Sequence, residues 1–236
     1  MVLSEPITIQ IDATRTVSGL LQVPPDAIAA FVFAHGAGAG MTHPFMAGVA
    51  DGLAERRIAT VRYQFAYMQA GSKRPDRPPL AHAAVRAAVA AASRRLPSLP
   101  LFAGGKSFGA RMTSQAQAES PLPRVGGLIF AGFPLHPAKK PSDDRGAHLA
   151  LVRIPMLFLQ GTRDALAEPA LLLPLIARLG GAATLCAIEQ ADHSFHVPAR
   201  SGRTDAQVLA GMCDTIMAWI AEVLGSAGSP PRTAGS

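Results

Sequence analysis

The pentapeptide Gly105-Lys106-Ser107-Phe108-Gly109 sets a serine between two flanking glycines. In a G-x-S-x-G turn joining a strand to a helix, the serine backbone is strained and its hydroxyl stands clear at the top of a sheet. The glycines supply space, because side chains there would collide across so tight a turn. The chemistry implied is attack by Ser107 on an acyl carbon. A hydroxyl becomes a good nucleophile only when a base takes its proton and a third group orients that base. Asp164, in Gly161-Thr162-Arg163-Asp164, and His193, in Ala191-Asp192-His193-Ser194-Phe195, come later in the chain order Ser, Asp, His. Each of the three stands directly after an apolar segment of strand type, so all three loops share one edge of a parallel sheet.

Each residue has a plainer reading. Asp164 would also serve as a helix cap, and His193 as a surface histidine. Their joint placement with Ser107 favours the set over its parts. Asp192 adjoins His193, and neighbours rarely point the same way, so it reads as a turn residue. Asp143 and Asp144 lie in a polar loop with no strand just before them, and His196 lies farther from the strand than His193. Gly105-Lys106-Ser107 also resembles the end of a phosphate-binding G-x-x-x-x-G-K-[ST] loop. That motif needs a glycine where Pro100 stands, and a loop where the pattern gives a strand.

Acyl transfer passes through a tetrahedral oxyanion that needs preorganised N–H donors. The glycine-rich His35-Gly36-Ala37-Gly38-Ala39-Gly40 comes after another apolar segment. The N–H groups of Ala37 and Phe108 are the candidate oxyanion donors, and the backbone at Gly36 is where substrate approaches. His35 reads as structural. The bland alternative for this stretch is a flexible turn. Lys106, beside the nucleophile, either attracts an anionic acyl group or is a solvated side chain. His136 comes after a strand and is placed to line the pocket. A basic stretch at 67–79 with Lys73, Arg74 and Arg77 is placed to rim it, which would favour anionic substrates.

These residues need elements to hold them. Alternation at 7–11 and 17–23 about a polar turn predicts an antiparallel hairpin. The apolar run at 28–34 predicts a strand buried on both faces, and 58–63, 99–104, 125–131, 154–160 and 183–189 predict further strands. A helix is predicted to open near Pro44, with Phe45, Val49 and Leu53 as its stripe, and others at 80–96, 107–118, 168–179 and 204–224. The last has Val208, Met212, Ile216, Trp219, Ile220 and Val223 at helical spacing. The segment 64–79 reads as a loop. The predicted class is α/β, a mostly parallel sheet of about eight strands with helices on both faces. One domain spans 1–224, and 225–236 is a disordered tail.

Composition narrows the partners. Hydrophobic residues are 49% and charged ones 16%, which excludes a disordered chain. The net charge of +6 suggests nucleic acid, but its basic residues fall in scattered pairs without interleaved aromatics, so no nucleic-acid partner is expected. The two cysteines, Cys186 and Cys213, sit in no metal-binding spacing, so neither metal nor cofactor is expected. There is no leader pattern at the start and no apolar run of about 18 residues, so the reading is cytoplasmic, with no membrane partner.

HGAGAG, GKSFG, GTRD and ADHSF, in this order, resemble the α/β-hydrolase superfamily, and its small cap-less branch similar to dienelactone hydrolases and to single-domain serine hydrolases. The resemblance covers about 7–224. It implies an α/β-hydrolase fold, a Ser107-Asp164-His193 triad and hydrolysis of a small carboxylic ester without cofactor. The alternatives are a thioesterase or acyltransferase on the same triad, or a non-catalytic scaffold. Dienelactone hydrolases proper use cysteine as nucleophile, so Ser107 turns the expectation from dienelactone towards a general ester or thioester. The segments Arg74-Pro-Asp-Arg77 and Gly132-Phe-Pro-Leu-His-Pro137 resemble segments of some members of this branch without an evident role. The short stretch after 125–131 leaves no room for a large lid.

Overall fold

The structure is a computed structural model and describes residues 2–227. Eight strands form one sheet in the order β1-β2-β4-β3-β5-β6-β7-β8. They are β1 Ser4–Gln10, β2 Thr16–Gln22, β3 Ala29–Ala34, β4 Ile58–Tyr63, β5 Leu101–Lys106, β6 Val125–Ala131, β7 Met156–Gly161 and β8 Ala183–Ile188. β1 and β2 pair antiparallel and β2 runs antiparallel to β4, while β4, β3, β5, β6, β7 and β8 are mutually parallel. Pro6 sits within β1, which is tolerated because β1 is an edge strand with a free side. The parallel strands β3, β4 and β7 are buried along their whole length, as the apolar sequence of β3 requires, and β4 and β7 bury Thr60, Arg62 and Gln160 as well.

The helices are α1 Pro44–Glu55, α2 Ala66–Gln69, α3 Pro78–Arg95, α4 Phe108–Glu119, α5 Pro169–Leu179 and α6 Asp205–Ala227. Prolines open α1, α3 and α5, where a missing N–H costs nothing. One face of the sheet, with Phe31, Phe33, Phe102, Ile129 and Leu157, is covered by α1 and α6 through Met46, Val49, Leu53, Met212, Ile216 and Trp219. The other face, with Val32, Ala103, Leu128, Phe130 and Phe158, is covered by α3, α4 and α5 through Val85, Val89, Met112, Leu172 and Leu175. β3 and β5 are neighbours, yet the helices that continue from them, α1 and α4, lie on opposite faces. A crevice at the carboxyl ends of the strands therefore opens between them, the switch point where α/β sheets bind ligands.

The predicted elements are present, with three differences. The segment 64–79 carries the short helix α2, whose Tyr67 N–H is bonded by Asp76. A 3-10 helix, Asp144–Leu151, fills the span between β6 and β7, and no large cap is built there. The last helix runs through 225–227, part of the expected tail, where the Ser226 hydroxyl donates back to the Glu222 carbonyl; 228–236 lie outside the described residues.

Helix α6 is apolar enough, at a mean hydropathy of 1.5 over Asp205–Ser226, to cross a membrane by length and composition. Its apolar stripe is instead packed on the sheet, with the Trp219 ring edge-on to Phe102 at 5.8 Å between centroids. Trp219→Ala should lower the unfolding free energy by about 3–5 kcal/mol. The exposed Leu173→Ala should change it by about 0.5 kcal/mol or less. Urea unfolding of the two variants beside wild type measures this, and equal midpoints would show that α6 does not hold the core.

Candidate active site

Ser107 joins β5 to α4 with φ 51° and ψ −109°, a left-handed conformation that a serine adopts only under constraint. Its N–H donates to the Ala131 carbonyl of β6 at 3.0 Å. The flanking glycines are required by the neighbouring strand as much as by the turn. A Cβ at Gly105 would lie 2.6 Å, and one at Gly109 2.5 Å, from the Ala34 carbonyl oxygen of β3. Strand β3 thus grips both sides of the turn, and the strained serine is held at the sheet edge.

His193 reaches this serine from the loop after β8. Its Nε2 lies 2.8 Å from Ser107 Oγ, and its Nδ1 lies 2.7 Å from Asp164 Oδ2. With Nδ1–H donating to the carboxylate, Nε2 is left to accept the serine proton, and the bonded pairs fix this tautomer. Asp164 is buried, comes after β7 as expected, and accepts three hydrogen bonds in all. Besides His193 these come from the Leu166 N–H to Oδ1 at 2.8 Å and from the Gln160 amide to Oδ2 at 2.5 Å. Burying a carboxylate is costly unless its oxygens find partners in this way.

The rival residues are engaged elsewhere. Asp192 Oδ1 accepts from the N–H groups of Ser194 and His196, closing the turn that presents His193. Asp143 pairs with Arg178, and His196 pairs with Asp205. Asp144 opens the 3-10 helix.

A cavity of about 230 Å³ lies beside Ser107, lined by Gly36, Ala37, His43, Phe45, Met46 and Lys106 among others, with His193 at its edge. Phe45, expected on the stripe of α1, instead forms cavity wall and stacks on Phe195 at 5.6 Å; Met46 takes its place in the core. The Phe108 N–H is the first of α4 and has no intrahelical partner. Neither it nor the Ala37 N–H is hydrogen-bonded among the described residues. The glycine loop is braced rather than loose. The buried His35 ring accepts the Phe65 N–H at 3.1 Å and meets the Gly36 carbonyl at 2.7 Å, while Tyr67 Oη accepts the Gly38 N–H at 2.9 Å. Burial holds the His35 imidazole below its usual pKa, which suits a neutral structural ring.

His136 and the expected rim residues Arg74 and Arg77 are not at the cavity. His136 is fully buried; its Nδ1 faces the Pro137 carbonyl at 2.9 Å and its Nε2 the Glu168 carboxylate, tying the segment after β6 to the start of α5. Burying an imidazole this deeply without such partners would be costly, so the ring takes them and turns away from the cavity. Arg74 and Arg77 are exposed and border a separate depression with Arg15 and Tyr67. The segment 132–137 has a role that the sequence does not reveal. Gly132, with φ 68°, leaves room where a Cβ would meet Lys106 Nζ at 3.0 Å and the His193 ring at 3.5 Å. The next N–H, of Phe133, donates to the Gln160 side-chain oxygen at 2.9 Å. Gln160 is a further site residue that sequence reasoning misses. Its signal is a glutamine closing an otherwise apolar buried strand. Among the described residues no cluster of three or more His, Cys, Asp or Glu could hold a metal ion.

Lys106 is not a solvated side chain. Its ammonium donates to the His193 carbonyl at 2.5 Å and sits over the rings of Phe195 and Phe45, at 5.1 and 5.9 Å. Burial pushes its pKa down to about 8, against the attraction of Asp164 and Asp192. The unfolded amine keeps its ordinary value of 10.5. Between the two values the unfolded chain binds more protons, so raising pH through this window favours the fold. The neutral amine can still donate to His193. Thermal unfolding of wild type and Lys106→Met should therefore diverge in favour of wild type as pH rises from about 8 to 10.5. A constant difference would show that the amine is not desolvated.

Residues 27–221 match the family described as Alpha/beta hydrolase domain. Among solved structures, a dienelactone hydrolase from Anabaena variabilis superposes with a TM-score of 0.74 at 20% identity, covering 94% of this chain and 98% of that one. An α/β serine hydrolase without lid from Xanthomonas campestris gives 0.71 at 20% identity, covering 92% and 94%. A serine hydrolase homologue from Coxiella burnetii gives 0.72 at 17% identity, covering 92% and 98%. At such identities the likeness is one of fold, an eight-stranded, mostly parallel sheet without a large cap. With the family match over most of its length, the chain belongs to the alpha/beta hydrolases.

Proposed function

We propose that the chain is a serine hydrolase that cleaves small carboxylic esters through an acyl-enzyme. The observation that carries this reading is the unbroken line from Ser107 Oγ through His193 to the buried Asp164, at 2.8 and 2.7 Å. Both distances are hydrogen-bonded, and nucleophile, base and orienting carboxylate stand in the order the mechanism uses.

In this mechanism Ser107 attacks the ester carbonyl as its proton passes to His193 Nε2. The imidazolium formed is stabilised by Asp164 across Nδ1–H. The N–H groups of Ala37 and Phe108 hold the oxyanion; Gly36 lets the backbone approach it. The imidazolium then gives its proton to the leaving alcohol. Water, deprotonated by His193, attacks the acyl-enzyme and frees the acid. The cavity of about 230 Å³, walled by Phe45 and Met46, suits a short acyl group. The absence of a large cap is consistent with small, freely diffusing substrates. Relatives described as dienelactone hydrolase and as esterase support this class of reaction. No step requires a cofactor.

Ser107→Ala should lower kcat for p-nitrophenyl acetate on the order of 10⁴-fold or more and abolish labelling by a fluorophosphonate probe. An alanine variant as active as wild type, or a folded wild type that the probe does not label, would overturn the reading. Gln160→Leu keeps the volume of the side chain but removes the amide that holds Asp164. Its kcat should fall on the order of tenfold to a hundredfold with KM little changed, and steady-state kinetics on the same ester measures it.

A further inference from the structure

Two arginines stand apart from the others. Arg111, on α4, and Arg145, in the 3-10 helix Asp144–Leu151, are partly buried, and neither guanidinium has a hydrogen bond or ion pair among the described residues. The remaining arginines among the described residues are either exposed or bonded. Arg56 pairs with Asp214, Arg86 bonds the carbonyls of Ala116 and Ser120, and the buried Arg62 bonds Ser4, Gln22 and Met41. Arg111 Nε is wholly buried and unpartnered, and its guanidinium lies over the Phe108 ring at 5.9 Å. Burial first, and then the charge of Arg145, lowers the pKa of Arg111, and burial lowers that of Arg145.

Nothing packed around them supplies a negative charge. His148, in the same 3-10 helix, is bonded to Ser114 and is held neutral, its pKa pushed down to about 4 by burial and then by Arg111. Asp143 is spent on Arg178, Glu119 on Arg86 and His82, and the exposed Asp144 makes no ion pair among the described residues. Bringing two guanidiniums in on adjoining elements without an anion is costly, and an oxyanion is the ligand their forked donors match.

Both are anchored through their backbones to segments that meet the Ser107 turn. Arg111 is one helical turn beyond Ser107, with its N–H on the Ser107 carbonyl at 3.1 Å, and stacks on the residue whose N–H is the candidate oxyanion donor. The Arg145 N–H bonds the Leu135 carbonyl, in the segment that starts at Gly132 beside His193. The cavity at Phe45 and Met46 opens towards α1, on one face of the sheet, and the arginines belong to the opposite face with α4. We infer that Arg111 and Arg145 form an oxyanion-binding subsite on the α4 side of Ser107, which holds a carboxylate or phosphate carried by the ester substrate. The inference rests on the ester-hydrolase reading for the word substrate, and on the guanidinium pair alone for the anion site.

The test has two arms. In the first, inorganic phosphate and acetate are titrated calorimetrically into Ser107→Ala, and into Ser107→Ala carrying Arg145→Gln. Millimolar or tighter binding that Arg145→Gln weakens on the order of tenfold or more is expected, and the tighter of the two anions identifies the group. In the second, kcat/KM is compared for phenyl acetate, 4-acetoxybenzoate and mono-4-nitrophenyl glutarate. An anionic ester should lose at least about tenfold more than phenyl acetate in Arg145→Gln, mainly through KM. Arg111→Lys, which keeps the charge but not the fork, should show the same selective loss where a glutamine at that half-buried position fails to fold. No binding of either anion at millimolar concentration overturns the inference, as does an equal loss on neutral and anionic esters. Wild type inactive on every ester would instead overturn the ester-hydrolase reading, and the calorimetric arm would still decide the anion site.

Discussion

The site depends on one close contact, between the end of β3 and the turn that carries Ser107. The Ala34 carbonyl lies where a side chain at either Gly105 or Gly109 would have to be. That approach draws β5 and the first turn of α4 against β3, and it leaves Ser107 only the conformation at φ 51°. A single strained residue of this kind costs about 1–3 kcal/mol, which a core built from both faces of an eight-stranded sheet readily offsets. The same contact fixes where the glycine loop after β3 begins. The two candidate oxyanion donors, at Ala37 and Phe108, therefore have their spacing set by strand pairing and not by loop flexibility.

Asp164 and His193 are held by a second layer that links the same strands. Gln160 ends β7 and bonds Phe133 after β6 on one side and Asp164 on the other. Leu166 closes the circuit, donating to Asp164 while its carbonyl accepts the Leu135 N–H. Lys106, the last residue of β5, reaches across to the backbone of His193. Each hydrogen-bonded member of the site is therefore tied to a strand end other than its own. A displacement of one loop is resisted by its neighbours, as preorganised catalysis requires.

Much of this is legible in the sequence because parallel strands announce themselves as apolar runs, and the loop after each run must emerge at one edge. Ser107, Asp164 and His193 can be placed by that rule alone. The rule fails for side chains whose direction depends on a partner far along the chain. His136 also stands after a strand, yet Glu168 on a later helix draws its ring away from the cavity. Lys106 reads more readily as a solvent residue than as a binding one, because the Phe45–Phe195 stack that shelters it joins α1 to the loop after β8. Gln160 draws no attention beside GTRD, since its value lies in bonding two loops at once. A tail boundary at 225 is too early because Gly225 and Ser226 read as breakers, while a helix already propagating accepts them at little cost.

Charge shows the same limit. A net charge of +6 spread over scattered pairs says nothing about which cations are paired, and pairing is what separates a surface property from a site. The basic stretch at 67–79 draws notice because its charges are adjacent in sequence, but Arg74 and Arg77 are exposed, where screening by water leaves them little to do. Arg111 and Arg145 are far apart in sequence and are brought together by the 3-10 helix packing on α4. There the Arg111 Nε loses water without gaining a partner. A cation in that state raises the energy of the empty protein and lowers it again only when an anion arrives. The sheltered pair, and not the total charge, is the part of this basic chain that can discriminate between ligands.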